Sequence, residues 1–394
     1  MAWESLKVEQ QRYQLIQAYI EGEYSMKDLC IKYGISRKTA YKWYNRFLEE
    51  GEDGLEDQSK APHMPNHLYT EEQIDMLLDY KRKHLTWGPK KILISIKKAY
   101  PDEDWPSPTR LYEIFKEYHL VTKRKYRNRV PATAPLGNLT GCNDTWAVDL
   151  KGWFLTGDGQ RCEPLTITDS FSRYLIRCTH MHRHTVDYVW PVFDSAFREY
   201  GLPKRMRSDN GSPFGSSGIG RLTKLSIKLI QAGVVPEWIN PGHPEENGRH
   251  ERFHLTLKQD VASPPKDTLP LQIQAMCDFE HIYNFERPHE ALDMRTPGVC
   301  YQNSPRIWDG ILRPPEYNTR EVEVRKVQPN AYITFRNKDY HIGEALMGEY
   351  IGLKQIQDDE FEIYYGPIFL AKITEKGVEK PKKEPRKRRK KVFH

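Results

Sequence analysis

Three carboxylates in this chain stand where an acidic side chain needs a reason. Asp149 lies inside Thr145-Trp146-Ala147-Val148-Asp149-Leu150, whose aromatic and β-branched residues read as a strand. Trp146, Val148 and Leu150 share one face of such a strand, which leaves Ala147 and Asp149 on the other. Asp209 falls in Met206-Arg207-Ser208-Asp209-Asn210-Gly211, a short strand running into a turn; Asp-Asn-Gly is also a good turn in its own right. Glu251 belongs to the stretch 240–260, NPGHPEENGRHERFHLTLKQD, which passes from Pro and Gly punctuation into a helical run. Phe253 and Leu257 fall on one side of that run, and Glu251 and Lys258 lie about two turns apart on one face. A lone Glu-Lys pair is usually a solvated helix face. Three acids on a strand, at a strand end and on a helix could instead converge as oxygen ligands for hard divalent cations. Clustered carboxylates repel one another and raise each other's proton affinity unless cations neutralise them. Such a site suits two-metal phosphoryl transfer, one ion activating the attacking oxygen and the other stabilising the leaving oxygen.

The order of short motifs narrows the reading. W-x-x-D ends at Asp149, D-x-F-S-R runs from Asp169 to Arg173, and S-D-N-G runs from Ser208 to Gly211. N-x-x-x-E-x-F-x-x-x-L-K runs from Asn247 to Lys258, Y-N-x-x-R-P-H-x-x-L from Tyr283 to Leu292, and Thr296-Pro297 follows. Each is weak alone; in this order they resemble the DDE insertion-sequence transposases, whose catalytic domain is akin to retroviral integrase and has a ribonuclease-H-like fold. The resemblance implies Asp149, Asp209 and Glu251 as the catalytic and metal-holding triad, with Mg2+ as cofactor and Mn2+ as a substitute. The family's common spacing, counted from Asp209, lands on Glu245 rather than Glu251. Glu251 is preferred because it stands four after Asn247 and two before Phe253, with Leu257-Lys258 following in register. The loop from Gly215 to Arg221 can hold the extra residues, and Glu245 and Glu246 remain the alternatives. Asp169 is a tempting further ligand, but its family position normally serves the fold.

Composition bounds the elements that must position these groups. A chain of 394 residues is long enough for two to four domains. A hydrophobic content of 38% with nine Trp and 23 Tyr supports real cores. No apolar run approaches the roughly 20 residues a membrane helix needs, and the first residues carry no signal-peptide core. The six cysteines are scattered without a C-x-x-C pair, so a disulfide framework or zinc knuckle is not expected, and a reducing compartment is the simplest home. That compartment is the bacterial cytoplasm with its nucleoid, or the nucleus in a eukaryotic host. The net charge of +6 is modest and its distribution says more.

Residues 1–57 read as a helix-turn-helix. Gln10 to Glu21 is helical, Ser25 caps Met26 to Tyr33, Gly34 makes the turn, and Ser36 caps a third helix. Arg37, Lys38, Thr39 and Lys42 give that last helix a basic first face, suited to base edges and phosphates. G-I-S-R-x-T, from Gly34 to Thr39, followed by Lys42-Trp43, resembles the family's first DNA-binding module. Residues 58–69 read as a linker, and 70–122 as a second helix-turn-helix with helices at 70–84, 89–99 and 108–119. Thr109 and Arg110 open its last helix, while Lys90 and Lys91 add phosphate contacts that strengthen affinity without reading sequence. The basic linker 123–140 contains Lys123, Arg124, Lys125 and Arg127, placed to lie along a DNA backbone.

The catalytic core is expected over 141–302, as strands alternating with helices in a mixed α/β sheet. Strands are expected at 163–169 and 174–180, with a hairpin turn at Gly157-Asp158-Gly159, and helices at 184–200 and 222–232. From 318 to 374 six short strands suit a small β-barrel, resembling the SH3-like C-terminal domain of related transposases. Residues 375–394 read as a basic disordered tail for nonspecific nucleic-acid contact. The expected fold is therefore multidomain: α-helical helix-turn-helix modules, an α/β ribonuclease-H-like core and a small C-terminal barrel.

The implied activity is that of a DNA transposase. It would bind double-stranded DNA at its element's terminal inverted repeats, cut 3′ ends and join them to target DNA, as a homo-oligomer of at least two subunits with no membrane partner. A DNA-binding regulator keeping an inactive catalytic fold is the alternative, and a structure-selective nuclease is a third. All three carboxylates are present, which argues against the regulator.

Overall fold

The computed structural model describes residues 7–57, 69–121, 139–240, 248–375 and 377–380. Two compact units divide the chain, 1–68 and 69–394.

In the first unit α1 (Val8–Ile20), α2 (Met26–Tyr33) and α3 (Arg37–Glu50) enclose one core. Ser25 and Ser36 accept hydrogen bonds from the backbone N–H of Asp28 and Thr39, satisfying donors the helix starts leave free. Gly34 closes α2 at φ 66°, a conformation that suits glycine because it has no Cβ. Leu15, Ile16, Leu29 and the fully buried Ala40 pack the centre. The Arg12 guanidinium covers the Trp43 ring at 3.7 Å. Arg37, Lys38 and Lys42 remain exposed on the outer face of α3.

The second unit begins with α4 (Glu71–Lys83), α5 (Pro89–Ala99) and α6 (Pro108–Glu117). Thr70 and Gln73 form a reciprocal capping box at the start of α4. Proline occupies the first position of α5 and α6, and Ser107 accepts from Arg110 N–H. Leu77, Trp87, Ile92, Ile96 and Phe115 form the core, against which Ile282 of the following domain packs.

The catalytic-core strands are β1 (Thr145–Leu150), β2 (Phe154–Leu155), β3 (Arg161–Cys162), β4 (Pro164–Asp169) and β5 (Leu175–His180). After α7 (Val186–Tyr200) come β6 (Arg205–Ser208), α8 (Lys224–Gln231), β7 (Val235–Trp238), α9 (Gly248–Leu257) and α10 (Leu269–His281). The five-stranded sheet runs β5-β4-β1-β6-β7, antiparallel from β5 to β1 and parallel from β1 to β7. The short β2–β3 hairpin carries the turn expected at Gly157-Asp158-Gly159. Trp146 and Val148 turn to one face, where Phe193, Phe197, Leu225 and Leu229 of α7 and α8 bury them. Phe253 and Leu257 of α9 pack with α10 and with Leu175 and Cys178 on the opposite face. This alternation puts Asp149 on the α9 side. Asp169 is fully buried and accepts from Asn143 N–H and from both the N–H and Oγ–H of Ser172, so it is tied into the fold.

The C-terminal strands are β8 (Val322–Lys326), β9 (Tyr332–Phe335), β10 (Lys338–His341), β11 (Tyr350–Gln357), β12 (Glu360–Tyr365), β13 (Ile368–Thr374) and β14 (Gly377–Glu379). They form an antiparallel sheet β14-β13-β12-β11-β8 and a separate β9–β10 hairpin. Among the described residues the two are not joined by strand pairing, so the closed barrel expected from the sequence is not formed. Their apolar faces share one core instead. That core also includes Ile219, Leu222, Ile227 and Ile230, so the C-terminal strands are docked on α8 rather than standing apart. Strand β14 extends the sheet into what the sequence suggests is tail. Among the described residues, no helix is long and apolar enough to cross a membrane.

Candidate active site

Adjacent parallel strands bring their carboxyl ends together, and here that rule places two acids side by side. Asp149 sits near the end of β1, and Asp209 follows β6, the parallel neighbour of β1. The turn after β6 is pinned from several sides. Asp209 Oδ1 accepts from Gly211 N–H at 3.1 Å, while the Asn210 amide donates to Ile239 O at 2.8 Å and accepts from Arg221 at 3.2 Å. Glu251 is exposed in the first turn of α9, on the helix that covers this face of the sheet.

The electrostatics tie the three together. Burial, then the negative field of Asp209, and more weakly that of Glu251, push the Asp149 carboxyl up to about 7, against the opposing Leu150 backbone hydrogen bond and Lys151. Mutually repelling carboxylates of this kind fit a divalent cation, which supplies the missing positive charge through oxygen ligands. Lys151 and Lys258 also meet here. Burial and the Lys258 charge lower the Lys151 pKa, so two ammonium groups border the acids. Lys258 opens a single π-helical turn, Lys258–Ala262, at the end of α9. Such turns interrupt an α-helix at an energetic cost and are frequent at functional sites.

Two histidines that the sequence reading passes over complete the site. His250 and His254 lie one turn apart on α9, flanking Glu251, and both face β4. His250 is fully buried between Thr168 Oγ1 at 3.1 Å and Thr166 Oγ1 at 2.8 Å. His254 Nε2 is 2.8 Å from the same Thr166 hydroxyl, and its Nδ1 is 3.7 Å from Asp149 Oδ2. Burial, reinforced by Lys151, pushes the His254 pKa down to about 3, so the imidazole is neutral and the contact with Asp149 is not an ion pair. Asp149, His250 and His254 offer ligand atoms within 4.8 Å of one another. The signal available in the sequence was His-Glu-Arg-Phe-His itself, since i and i+4 histidines share one helix face.

The other expected contacts fall differently. Arg37, Lys38 and Lys42 are exposed on α3, and the half-buried Thr39 hydroxyl contacts the Ser36 cap. Lys90 and Thr109 are exposed; Arg110 is exposed but paired with Glu113 and Glu117 on its own helix. Lys91 stands apart from these exposed groups. It is half-buried near Arg287, Glu290, Arg252 and Asp260, and burial first, then Arg287, lower its pKa to about 8. Its ammonium is turned into the seam between the second helical module and the catalytic core. Lys123, Arg124, Lys125 and Arg127, and the alternatives Glu245 and Glu246, lie outside the described residues, as does Asn247.

Known families match along the chain in the same order. A helix-turn-helix domain matches residues 11–63 and a homeodomain-like domain matches 39–115. Two integrase core domain families match 140–244 and 232–297. The chain is similar to a 39.2 kDa protein of insertion element IS476 from Xanthomonas euvesicatoria, at 26% identity over 58% of this chain and 64% of that protein. It is also similar to a 31.7 kDa protein of insertion element IS407 from Burkholderia multivorans, at 28% identity over 48% of this chain and 66% of that protein. The chain thus spans just under two thirds of the length of these relatives. A solved HTLV-2 integrase catalytic core in complex with magnesium aligns with 41% of this chain and 99% of its own, at 16% identity and a TM-score of 0.33.

Proposed function

We propose that this chain, a member of the DDE transposases of the ribonuclease-H-like superfamily, binds the terminal inverted repeats of its own insertion sequence, cleaves their 3′ ends and joins them to target DNA. The observation that carries the reading is the coupling of Asp209 and Glu251 to the half-buried Asp149 at the shared end of β1 and β6. Two rigid strands fix the first two carboxylates, and α9 brings the third. Their carboxylate oxygens suit Mg2+, with Mn2+ as a substitute. When bound, paired divalent ions activate the attacking oxygen and stabilise the leaving oxygen of an in-line displacement.

The chain's own residues do the positioning. Lys151 and Lys258 hold the phosphate backbone beside the carboxylates. In the first step water attacks the scissile phosphorus and the 3′ hydroxyl of the element end leaves, with a 5′ phosphate remaining on the flank; in the second that hydroxyl attacks a target phosphorus and a target 3′ hydroxyl leaves. The first step is a hydrolysis and the second exchanges one phosphodiester bond for another, so no external energy source is needed. Arg37, Lys38, Thr39 and Lys42 read the end DNA, with Lys90, Thr109 and Arg110 in a second reading module. Lys123, Arg124, Lys125 and Arg127 contact the DNA backbone. Residues 318–374 act as the counterpart of an SH3-like DNA-holding domain. The active assembly contains at least two copies, because two ends must be processed and each chain has one triad.

An end-cleavage assay tests this on labelled DNA taken from the inverted repeats flanking the gene. Asp149→Asn and Asp209→Asn are expected to abolish Mg2+-dependent cleavage while leaving end binding within about twofold, since affinity comes from phosphate and base contacts elsewhere. Wild-type protein that binds the ends with no cleavage in Mg2+ or Mn2+ would instead indicate a DNA-binding regulator.

A further inference from the structure

Hydrogen-bond arithmetic around Thr166 assigns a role to His254 that the carboxylate triad does not contain. A threonine hydroxyl has one hydrogen to donate and two lone pairs to accept with. Thr166 Oγ1 donates to Asp149 O at 3.2 Å. Its two remaining contacts, His250 Nε2 and His254 Nε2, both lie at 2.8 Å, and with the hydroxyl hydrogen on Asp149 O both nitrogens are the donors. Both rings are thus protonated at Nε2. The consequence for His250 is complete satisfaction, because its Nδ1 accepts from Thr168 Oγ1–H at 3.1 Å. For His254 it is a bare Nδ1 lone pair aimed at a carboxylate. Nδ1 and Asp149 Oδ2 stand 3.7 Å apart, beyond hydrogen-bond distance. A cation seated between them would engage both atoms.

We propose that His254 Nδ1 is a direct nitrogen ligand to a divalent metal ion shared with Asp149, so that the site has a mixed nitrogen–oxygen donor set. This rests on the carboxylate metal site proposed above. The separation fits, since metal bonds to imidazole nitrogen and carboxylate oxygen are each about 2.0–2.2 Å. The arrangement behind the ring fits as well. Metal-bound histidines donate their second N–H to a fixed acceptor that sets tautomer and orientation, and Thr166 does this for His254. His250 is the support rather than a ligand, because both its nitrogens are already engaged. A nitrogen donor shifts preference away from Mg2+ toward Mn2+ and later divalent metals. The site is therefore expected to bind Mn2+ more tightly than Mg2+, and that preference is expected to shrink when His254 is replaced.

The test loads the full chain with Mn2+ and records pulsed electron paramagnetic resonance, comparing unlabelled protein with protein carrying 15N-histidine. The wild type is expected to show one imidazole nitrogen coupled to the manganese. In His254→Gln that coupling is expected to vanish while Mn2+ still binds, with Kd raised at least about tenfold. Thr166→Val leaves the ring in place but removes its acceptor, and is expected to weaken Mn2+ binding about 10–100-fold. Circular dichroism checks that each variant is folded, and an oxygen-only wild-type spectrum overturns the ligand without any variant. Bound manganese with only oxygen couplings overturns the histidine ligand and leaves the carboxylate site standing. A nitrogen coupling that persists in His254→Gln also overturns it. Failure of the wild type to bind Mn2+ at all overturns both.

Discussion

Individual residues set the chemistry, and their legibility depended on how much of each one's role is local. Asp149 stands out in the sequence because a carboxylate interrupting an apolar strand is unusual, and Asp209 because a strand runs straight into its turn. His250 and His254 were missed because their meaning lies across the sheet, in the hydroxyls of Thr166 and Thr168 more than 80 residues away. The surroundings of Lys91 were not legible for the same reason. A lysine in a basic run suggests solvent, yet tertiary packing turned its ammonium toward Arg287. One buried acid gives a prediction apart from the active site. Glu280 accepts from Cys178 N–H, and burial pushes its pKa up to about 7, with Arg177 opposing. An acid whose folded pKa lies above its unfolded value binds protons preferentially when folded. This group's stabilising effect is therefore full below about pH 4 and is lost as pH rises to about 7. Glu280→Gln keeps the acceptor without the charge, so thermal melts are expected to show a higher Tm than wild type at pH 8 and little difference at pH 4. Equal melting curves at both pH values would show that Glu280 carries no such linkage.

Elements were read more reliably than their assembly. The capped helices α2, α3, α4 and α6 each carry a Ser or Thr whose bond is present, so their starts were visible in sequence. Strand β7 was not, because Pro236 removes a ladder donor; the residue is tolerated since β7 is the edge of its sheet. The six strands expected after residue 318 all form, but their pairing depends on tertiary contacts that alternation does not encode. Core residues Ile227 and Ile230 of α8 draw the apolar faces toward the catalytic core, leaving an open sheet and a hairpin. The helix caps give a direct prediction. Ser36→Ala removes the acceptor for Thr39 N–H at the start of α3 and is expected to cost about 1 kcal/mol. It is expected to lower the stability of residues 1–68, measured by denaturant unfolding, while leaving the melting of the catalytic core unchanged. A wild-type unfolding curve for that variant would contradict the capping role.

At the scale of the whole molecule, the sequence placed linkers on both sides of the second helical module, whereas the structure docks that module on the catalytic core. Ile282 enters its core, and Arg287 bridges Asp260 at 2.9 Å and reaches Thr86 at 3.5 Å. Asp260 lies two residues beyond Lys258, so the same contact steadies the end of the helix that carries Glu251. Arg287→Ala leaves Asp260 without its partner and is expected to destabilise the unit by about 1–3 kcal/mol, read as a lowered Tm. Division of labour is expected between the units as well. Removing residues 1–57 weakens specific end binding far more than binding to random DNA, and a version of the protein losing both equally would refute that division. Under the proposed pairing of two ends by two copies, mixing Asp149→Asn protein with a variant altered at Arg37 and Lys42 is expected to restore activity that neither has alone. No restored activity would mean that each copy cuts the end it reads. The central claim is that Asp149, Asp209 and Glu251 act as one metal-dependent strand-transfer site. The most direct measurement supplies pre-cleaved terminal DNA to wild-type and Glu251→Gln protein in Mg2+ and records joining to target DNA alongside end binding. The account predicts joining by the wild type alone, with binding equal in both; full joining by Glu251→Gln would contradict it and point to Glu245 or Glu246.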